Sequence, residues 1–155
     1  MELFLLRHGH ANAYAQSDAQ RELSDRGREE VRSTIIAAQA ALASLDAVWV
    51  SPYLRAQQTW HEASALLQDG NPVVTTDPTI APDGQVASVI TQLERSGASR
   101  LLLVTHQPFV GDLLETLCGC ESGRYFMGTA NLACISLPLV ASGLGELQWL
   151  KQPNL

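Results

Sequence analysis

Short apolar runs alternate with helix-like patterns along most of this 155-residue chain. The runs predict strands over residues 2–7, 46–51, 73–76, 101–105, 132–137 and, more weakly, 146–150. Strands that alternate with helices favour right-handed crossovers and a mainly parallel sheet with helices on both faces. The last two runs are joined without a helix, which predicts an antiparallel strand at the edge of the sheet. The predicted fold is therefore an α/β protein, a three-layer α/β/α sandwich.

Helical patterns fill the gaps between the first strands. The first helix is predicted to begin after the N-cap Ser24, with its apolar face continuing to Leu45. The second is predicted to begin at Ser51-Pro52, with serine as the cap and proline in the first turn. Only residues 67–86 are available to cover the carboxyl edge of the sheet, and they are too few to form a lid domain over it. Because no linker or repeat divides the chain, residues 1–155 are predicted to form a single domain.

Composition excludes several classes of protein. The net charge is −6 and the pI about 5.1, without a basic stripe, so no nucleic-acid partner is expected. No apolar run approaches the roughly 18–20 residues of a membrane helix, so no membrane partner is expected either. The short N-terminal apolar run does not resemble a signal peptide. Reduced thiols at Cys118, Cys120 and Cys134 are favoured over a metal or redox pair, which predicts a cytoplasmic location.

Charged and imidazole side chains follow three of the predicted strands. Arg7-His8-Gly9 stands at the end of the first predicted strand, Arg55 lies shortly after the second, and His106 follows the fourth, residues 101–105. Ligands of open α/β sheets bind where the strands end at their carboxyl edge. Arginine grips two phosphate oxygens with its planar guanidinium group, so two arginines at one edge predict a phosphoryl site.

Each residue suits one part of phosphoryl transfer. His8 is predicted to be the nucleophile, because a neutral imidazole can attack phosphorus and be regenerated by water. A backbone carbonyl near its Nδ1 would leave Nε2 free to attack. Arg7 and Arg55 are predicted to bind the phosphate, while His106 donates a hydrogen bond to it. Gly9 would remove a side chain from the phosphate's path. No cluster has metal-ligand spacing, so neither a metal nor another cofactor is expected.

These motifs resemble the histidine phosphatase family, also described as phosphoglycerate mutase-like. The matching blocks, in order, are Arg7-His8-Gly9, Leu23-Ser24 with Gly27, Ser51-Pro52 with Arg55-Ala56 and Gln58-Thr59, and Thr105-His106 with Pro108 and Gly111. The resemblance implies a metal-independent phosphatase that forms a covalent phosphohistidine intermediate on His8. The short chain is most similar to the small bacterial phosphohistidine phosphatases of that family, which have an open site.

Two departures from the family pattern concern acid groups. His10 stands where many members have an acidic residue, and no glutamate follows the third strand, where larger members carry their general acid. Asp83 could protonate a leaving group or could simply be a surface residue of its loop. Asp18 and Arg21 could act at the site or could form only a loop salt bridge.

The missing acid bears on the substrate. A phosphoester leaves as an alkoxide that benefits from protonation, whereas phosphohistidine releases imidazole, a better leaving group. The sequence therefore favours a protein phosphohistidine phosphatase, whose partner is a phosphohistidine-bearing signalling or phosphotransfer protein. Two alternatives remain: a small-molecule phosphomonoesterase of the same family, and a non-enzymatic phosphohistidine-binding or phosphocarrier module.

Overall fold

The computed structural model describes residues 1–155 and contains six strands and four α-helices. Every predicted strand is present, within one residue of its predicted bounds at either end. The elements are β1 (Glu2–Arg7), α1 (Asp25–Ala38), β2 (Ala47–Val50), α2 (Leu54–Leu66), β3 (Val73–Thr76), α3 (Val86–Ser96), β4 (Arg100–Thr105), α4 (Phe109–Cys118), β5 (Leu132–Ser136) and β6 (Glu146–Lys151).

One sheet in the order β3-β2-β4-β1-β5-β6 organises the molecule. Strands β1 to β4 are parallel to one another, whereas β5 is antiparallel to β1 and β6 is antiparallel to β5. The predicted antiparallel pairing at this edge is confirmed. Because β5 alone is reversed, the chain before β5, rather than after it, lies at the same edge as the carboxyl ends of β1, β2 and β4.

Helices cover both faces of the sheet, which confirms the three-layer sandwich. Leu3 and Leu5 face the layer of α3 and α4, while Phe4 and Leu6 face the layer of α1 and α2. All four side chains are fully buried. This alternation is the expected result of a strand with period two between two apolar layers. Truncating one of these leucines to alanine would cost about 2–5 kcal/mol of folding free energy.

Two predicted helix boundaries are wrong. The helix predicted to reach Leu45 ends at Ala38, and Leu45 is buried in the turns that follow. Ser44, just before it, has a φ of 64°, in the left-handed region, which a helix cannot continue through. The predicted cap is present, since the backbone N–H of Gly27 donates to Ser24 Oγ at 3.0 Å.

The second boundary error concerns α2, which begins at Leu54 rather than at Ser51-Pro52. Tyr53 is its N-cap, and Ser51 Oγ accepts a hydrogen bond from the Tyr53 N–H at 3.3 Å. Ser51 is instead fully buried at the end of β2. Residues 67–86 form β3, the helical turn Pro78–Ile80 and loops. None of the helices combines the length and apolar character that crossing a bilayer requires.

Candidate active site

Four of the residues selected from the sequence meet at one edge of the sheet. His8 and His106 follow the neighbouring strands β1 and β4, and their ring centroids are 5.1 Å apart. Arg55, in the first turn of α2, donates a hydrogen bond from Nε to Nε2 of His8 at 3.2 Å. Arg7, the last residue of β1, completes the group. Parallel pairing of β1 with β4, and of β4 with β2, is what brings these strand ends together.

Hydrogen bonds fix both ring nitrogens of His8. Nδ1 lies 2.7 Å from the carbonyl oxygen of Gly9, which can only accept, so Nδ1 carries the proton. Nε2 lies against the Nε–H of Arg55, which can only donate, so Nε2 carries the lone pair. The two contacts define a single tautomer, and the carbonyl expected from the sequence is that of Gly9. The His8 backbone is also held, because its N–H donates to Thr105 O at 3.0 Å.

Both histidines are neutral near pH 7. Burial, followed by the charges of Arg55 and Arg7, lowers the pKa of His8 from 6.5 to about 3, although the hydrogen bond to Gly9 opposes the shift. Burial, followed by His8 and Arg55, lowers the pKa of His106 from 6.5 to about 2. A neutral His8 retains the Nε2 lone pair that nucleophilic attack requires.

His106 has one nitrogen in use and one free. Its Nε2 lies 2.7 Å from the hydroxyl of Ser51, and the edge of its ring meets the ring of Tyr53 at a centroid distance of 5.0 Å. Its Nδ1 is buried and has no hydrogen-bond partner. A buried polar atom without a partner costs about 1–3 kcal/mol, so an anion that accepts from Nδ1 would recover this energy.

Arg7, like His106, has one nitrogen that is hydrogen-bonded and another that is buried without a partner. One terminal nitrogen donates to the carbonyl of Met127 at 2.9 Å, while its Nε is buried without a partner. Burial and the nearby charge of Arg55 lower the pKa of Arg7, which shows that the two guanidinium groups repel each other. A phosphate anion would relieve this repulsion and satisfy the free Nε–H.

The structure brings Asp18 and Arg21 to the site as an ion-pair network around Arg55. The terminal nitrogens of Arg55 donate to the Asp18 backbone carbonyl at 2.7 Å and to its carboxylate at 3.1 Å. Arg21 donates to the other carboxylate oxygen at 2.9 Å. The hydrogen bond from Arg21, together with the one from Arg55, lowers the pKa of Asp18. Asp18 is therefore ionised at neutral pH and poorly suited to donate a proton, and its hydrogen bonds orient the guanidinium group of Arg55.

Gly9 is required for the close packing of two backbones. A Cβ atom at Gly9 would lie 2.5 Å from the carbonyl oxygen of Gly27, and one at Gly27 would lie 2.0 Å from that of His10. The loop after β1 thus rests directly on the first turn of α1. The Gly9 N–H donates to Thr59 Oγ1 at 3.2 Å, and this hydroxyl donates to Arg55 O at 2.7 Å. Thr59 therefore links the loop after β1 to α2.

Sequence reasoning missed Glu30, a buried carboxylate behind the site. Glu30 accepts from the His10 N–H at 2.9 Å and from the hydroxyl of Thr129 at 3.0 and 3.1 Å. It joins the loop after β1 to the chain before β5. The only sequence signal is its place beside Val31 on the inward face of α1. His10 itself is exposed, and its Nδ1 lies 2.7 Å from Ser24 Oγ.

Asp83 is not part of this network. It is exposed in the turn before α3 and forms no hydrogen bond or salt bridge with the residues above. No group of three or more His, Cys, Asp or Glu side chains is arranged to hold a metal ion. Arg7, Arg55 and Arg21 all place positive charge near His8.

The chain is thus an α/β protein with a buried neutral imidazole among guanidinium groups at the carboxyl edge of a mostly parallel sheet, an arrangement suited to binding an anion. Comparison with known proteins identifies the family. The model of the histidine phosphatase superfamily (branch 1) matches residues 3–80, and the chain belongs to that family.

Relatives with known names agree over nearly the whole chain. The phosphohistidine phosphatase SixA of Escherichia coli K12 is 32% identical, with 99% of this chain and 94% of that protein covered. A SixA homolog of Haemophilus influenzae is 34% identical over 77% of this chain and 78% of its own length. The structure of the protein histidine phosphatase SixA complexed with tungstate superposes with a TM-score of 0.87 at 32% identity, covering 99% of this chain and 97% of that one.

Proposed function

We propose that this protein is a metal-independent phosphatase that removes the phosphoryl group from phosphohistidine on a partner protein, through a covalent phosphohistidine intermediate on His8. The observation that carries the proposal is the fixed tautomer of His8, whose Nδ1 donates to Gly9 O while Nε2 stays unprotonated beside Arg55. The similarity to the SixA proteins of E. coli and H. influenzae, which are named for phosphohistidine phosphatase activity, supports the choice of substrate.

The reaction takes two displacements at phosphorus. In the first, the lone pair of His8 Nε2 forms the new P–N bond while the bond to the substrate imidazole breaks and its electron pair returns to that imidazole. In the second, water attacks the phosphorus, the His8 P–N bond breaks, and inorganic phosphate leaves with His8 restored. Arg7, Arg55 and the free Nδ1 of His106 would hold the equatorial oxygens, where charge accumulates. Gly9 would support the site indirectly, because a Cβ there would meet the Gly27 carbonyl oxygen and the loop that carries His8 could not pack against α1.

The state of the nearby carboxylates favours phosphohistidine over phosphoesters. Asp18 is ionised and held by two arginines, and Asp83 has no contact with the site. A phosphohistidine protonated on its distal ring nitrogen releases a neutral imidazole and needs no acid from the enzyme. An ester oxygen does need one. The lack of a protonated carboxyl group at the site should therefore raise the barrier for hydrolysis of a P–N bond only slightly.

The partner we propose is a folded signalling or phosphotransfer protein that presents its phosphohistidine at the surface. Residues 67–86 leave the site without a helical cover, so a side chain on a convex surface can enter. We also propose a cytoplasmic location, because all three cysteines are free thiols, including the half-buried Cys118 and Cys120 only two residues apart.

The experiment compares kcat/KM for a phosphorylated histidine-phosphotransfer domain with kcat/KM for a sugar phosphate. We expect the protein substrate to be preferred and release of more than one equivalent of phosphate per enzyme. A preference of roughly tenfold or more for the ester, about 1.4 kcal/mol in barrier, would contradict the substrate assignment. Release that stops at one equivalent would indicate a phosphocarrier.

The role of His8 is tested by trapping the phosphoenzyme with labelled substrate. His8→Ala should abolish both turnover and label, because no neighbouring group can replace an in-line nucleophile. His61→Ala is the matched control, because His61 is an exposed histidine of α2. Label that persists in His8→Ala would place the phosphoryl group on another residue.

A further inference from the structure

Phe126 is an exposed aromatic side chain at the mouth of the site. It is 71% exposed, although aromatic rings are normally buried. The guanidinium carbon of Arg7 lies 5.4 Å from the centroid of its ring. The ring therefore stands beside one of the two arginines that the proposed function assigns to the phosphate.

The backbone on both sides of Phe126 is fixed. The carboxylate of Glu115, only 4% exposed, accepts from the N–H groups of Gly123 at 3.0 Å and Tyr125 at 2.8 Å. On the other side Met127 is fully buried, and its carbonyl accepts from Arg7. A buried carboxylate committed to one loop is costly unless it is fully hydrogen-bonded, as it is here. These contacts tether the loop on both sides of Phe126.

Space for a partner continues beyond the ring. Phe126 lines a groove whose other walls are Arg26 and Glu30 of α1 and the C-terminal residues Pro153 and Leu155. Because Phe126 lines this groove and also lies beside Arg7, the groove adjoins the proposed phosphate site. A partner protein whose phosphohistidine enters the phosphate site can therefore extend over Phe126, whereas a phosphoryl compound without a ring or a polypeptide has no apolar surface to pack against it.

We propose that Phe126 is a specificity-determining residue that packs against the phosphohistidine side chain and the adjoining surface of the partner protein. This inference rests on the proposed function and adds to it the residue that recognises the leaving-group side of the substrate. An aromatic ring suits the planar imidazole, because stacked or edge-on rings attract each other beyond the effect of area burial. It also gives the partner an apolar contact that does not depend on phosphate.

The test compares two P–N substrates that differ on the leaving-group side. One is a phosphorylated histidine-phosphotransfer domain and the other is phosphoramidate, which has no ring and no polypeptide. Phe126→Ala should raise KM for the phosphorylated domain by about tenfold, the usual scale of an aromatic contact. It should leave kcat for that domain and kcat/KM for phosphoramidate unchanged. Phe126→Tyr, which keeps the ring, should restore the KM.

Leu139→Ala provides the matched control. Leu139 is also an exposed apolar side chain, at 63%, and it follows the end of β5 that pairs with the start of β1, opposite the site. Equal losses of activity on both substrates in Phe126→Ala would mean that the ring only supports Arg7, which would overturn the proposal. An unchanged KM would overturn it as well. Failure of the proposed function is distinguishable, because the wild-type protein would then not hydrolyse the phosphorylated domain.

Discussion

The Nε–H of Arg55 donates to Nε2 of His8 at 3.2 Å. A guanidinium group is therefore hydrogen-bonded to the atom that we propose attacks phosphorus. The contact holds the imidazole in the tautomer that leaves Nε2 unprotonated. In the proposed mechanism, a bound phosphoryl group would accept the Arg55 N–H on one of its oxygens and so free the Nε2 lone pair of His8 for attack on phosphorus. Anion binding and activation of the proposed nucleophile would then be one event.

Anion analogues should report this exchange. Vanadate or tungstate should inhibit the enzyme, and Arg55→Ala or Arg7→Ala should each weaken the inhibition by about 10–100-fold, because each removes a charged hydrogen-bond donor. Inhibition constants measured at fixed ionic strength give the comparison, with the exposed Arg95→Ala as control.

Chelators should not reduce activity. Activity that is lost on chelation and restored by a divalent cation would contradict the assignment of positive charge to arginine.

Stability should fall as the pH drops below about 6.5, the pKa of histidine in the unfolded chain. The folded-state pKa values of His8 and His106 are lowered to about 3 and about 2, so between these values and 6.5 the unfolded chain binds more protons. The free energy of unfolding should therefore decrease by about 2 kcal/mol per histidine from pH 6.5 to about pH 5. Denaturant titrations at several pH values measure it. In His8→Asn the slope should be shallower, and an unchanged slope would show that His8 titrates normally.

Asp18→Asn should lower activity by positioning rather than by loss of an acid. The amide keeps an oxygen for Arg55, and the backbone carbonyl of Asp18 remains, so we expect a decrease of about tenfold in kcat/KM, the effect of one weakened charged hydrogen bond. The decrease should be equal for substrates with good and poor leaving groups. A general acid would instead show about a 10²–10⁴-fold loss that is concentrated on poor leaving groups.

Ser51→Ala should reproduce part of the effect of removing His106. The Ser51 hydroxyl lies 2.7 Å from Nε2 of His106, and when it donates to Nε2 the proton of the neutral ring is on Nδ1, which has no partner within the protein. His106→Ala should cost about 10²–10³ in the rate of phosphoenzyme formation, and Ser51→Ala less, because the ring remains but its tautomer is free. Single-turnover kinetics measure both. If the Ser51 variant matches the wild type, the hydroxyl does not set the tautomer.

Gly27→Ala should destabilise the fold and the site together. A Cβ there would lie 2.0 Å from the His10 carbonyl oxygen, so the loop that carries His8 and Gly9 must move away from α1. We expect a loss of about 1–3 kcal/mol or more, the range for overpacking in a fixed backbone. Thermal unfolding measures the loss. Gly128→Ala is the control, because the nearest atoms to its Cβ would be those of Asn131, at 3.4 Å or more.

The strands, and the position of four candidate residues at the strand ends, could be predicted because their signals are local. Each apolar run is short and bounded, and Arg7, His8, Arg55 and His106 follow such runs by a few residues. The end of α1 could not be predicted, because Leu45 is as buried in a turn as it would be on a helical face. Periodicity alone does not distinguish the two.

The supporting contacts were hidden for a different reason. The partner of Arg7 is the backbone carbonyl of Met127, and any residue type supplies a carbonyl. Glu30 looks like an ordinary helix residue until Thr129 is brought to it from 99 residues away. Ser51 carries the signature of a helix cap, yet its hydroxyl also serves His106. Such roles depend on tertiary neighbours, which no window of sequence contains.

Strand β1 lies inside the sheet, hydrogen-bonded along its length to β4 on one side and β5 on the other. The amide of His8 continues the ladder to Thr105. Exposing this amide requires the end of β1 to separate from β4, so we expect its hydrogen exchange with solvent to be slow. On heating, we therefore expect the proposed nucleophile to keep its backbone geometry until the sheet unfolds, so that inactivation and unfolding follow the same temperature curve.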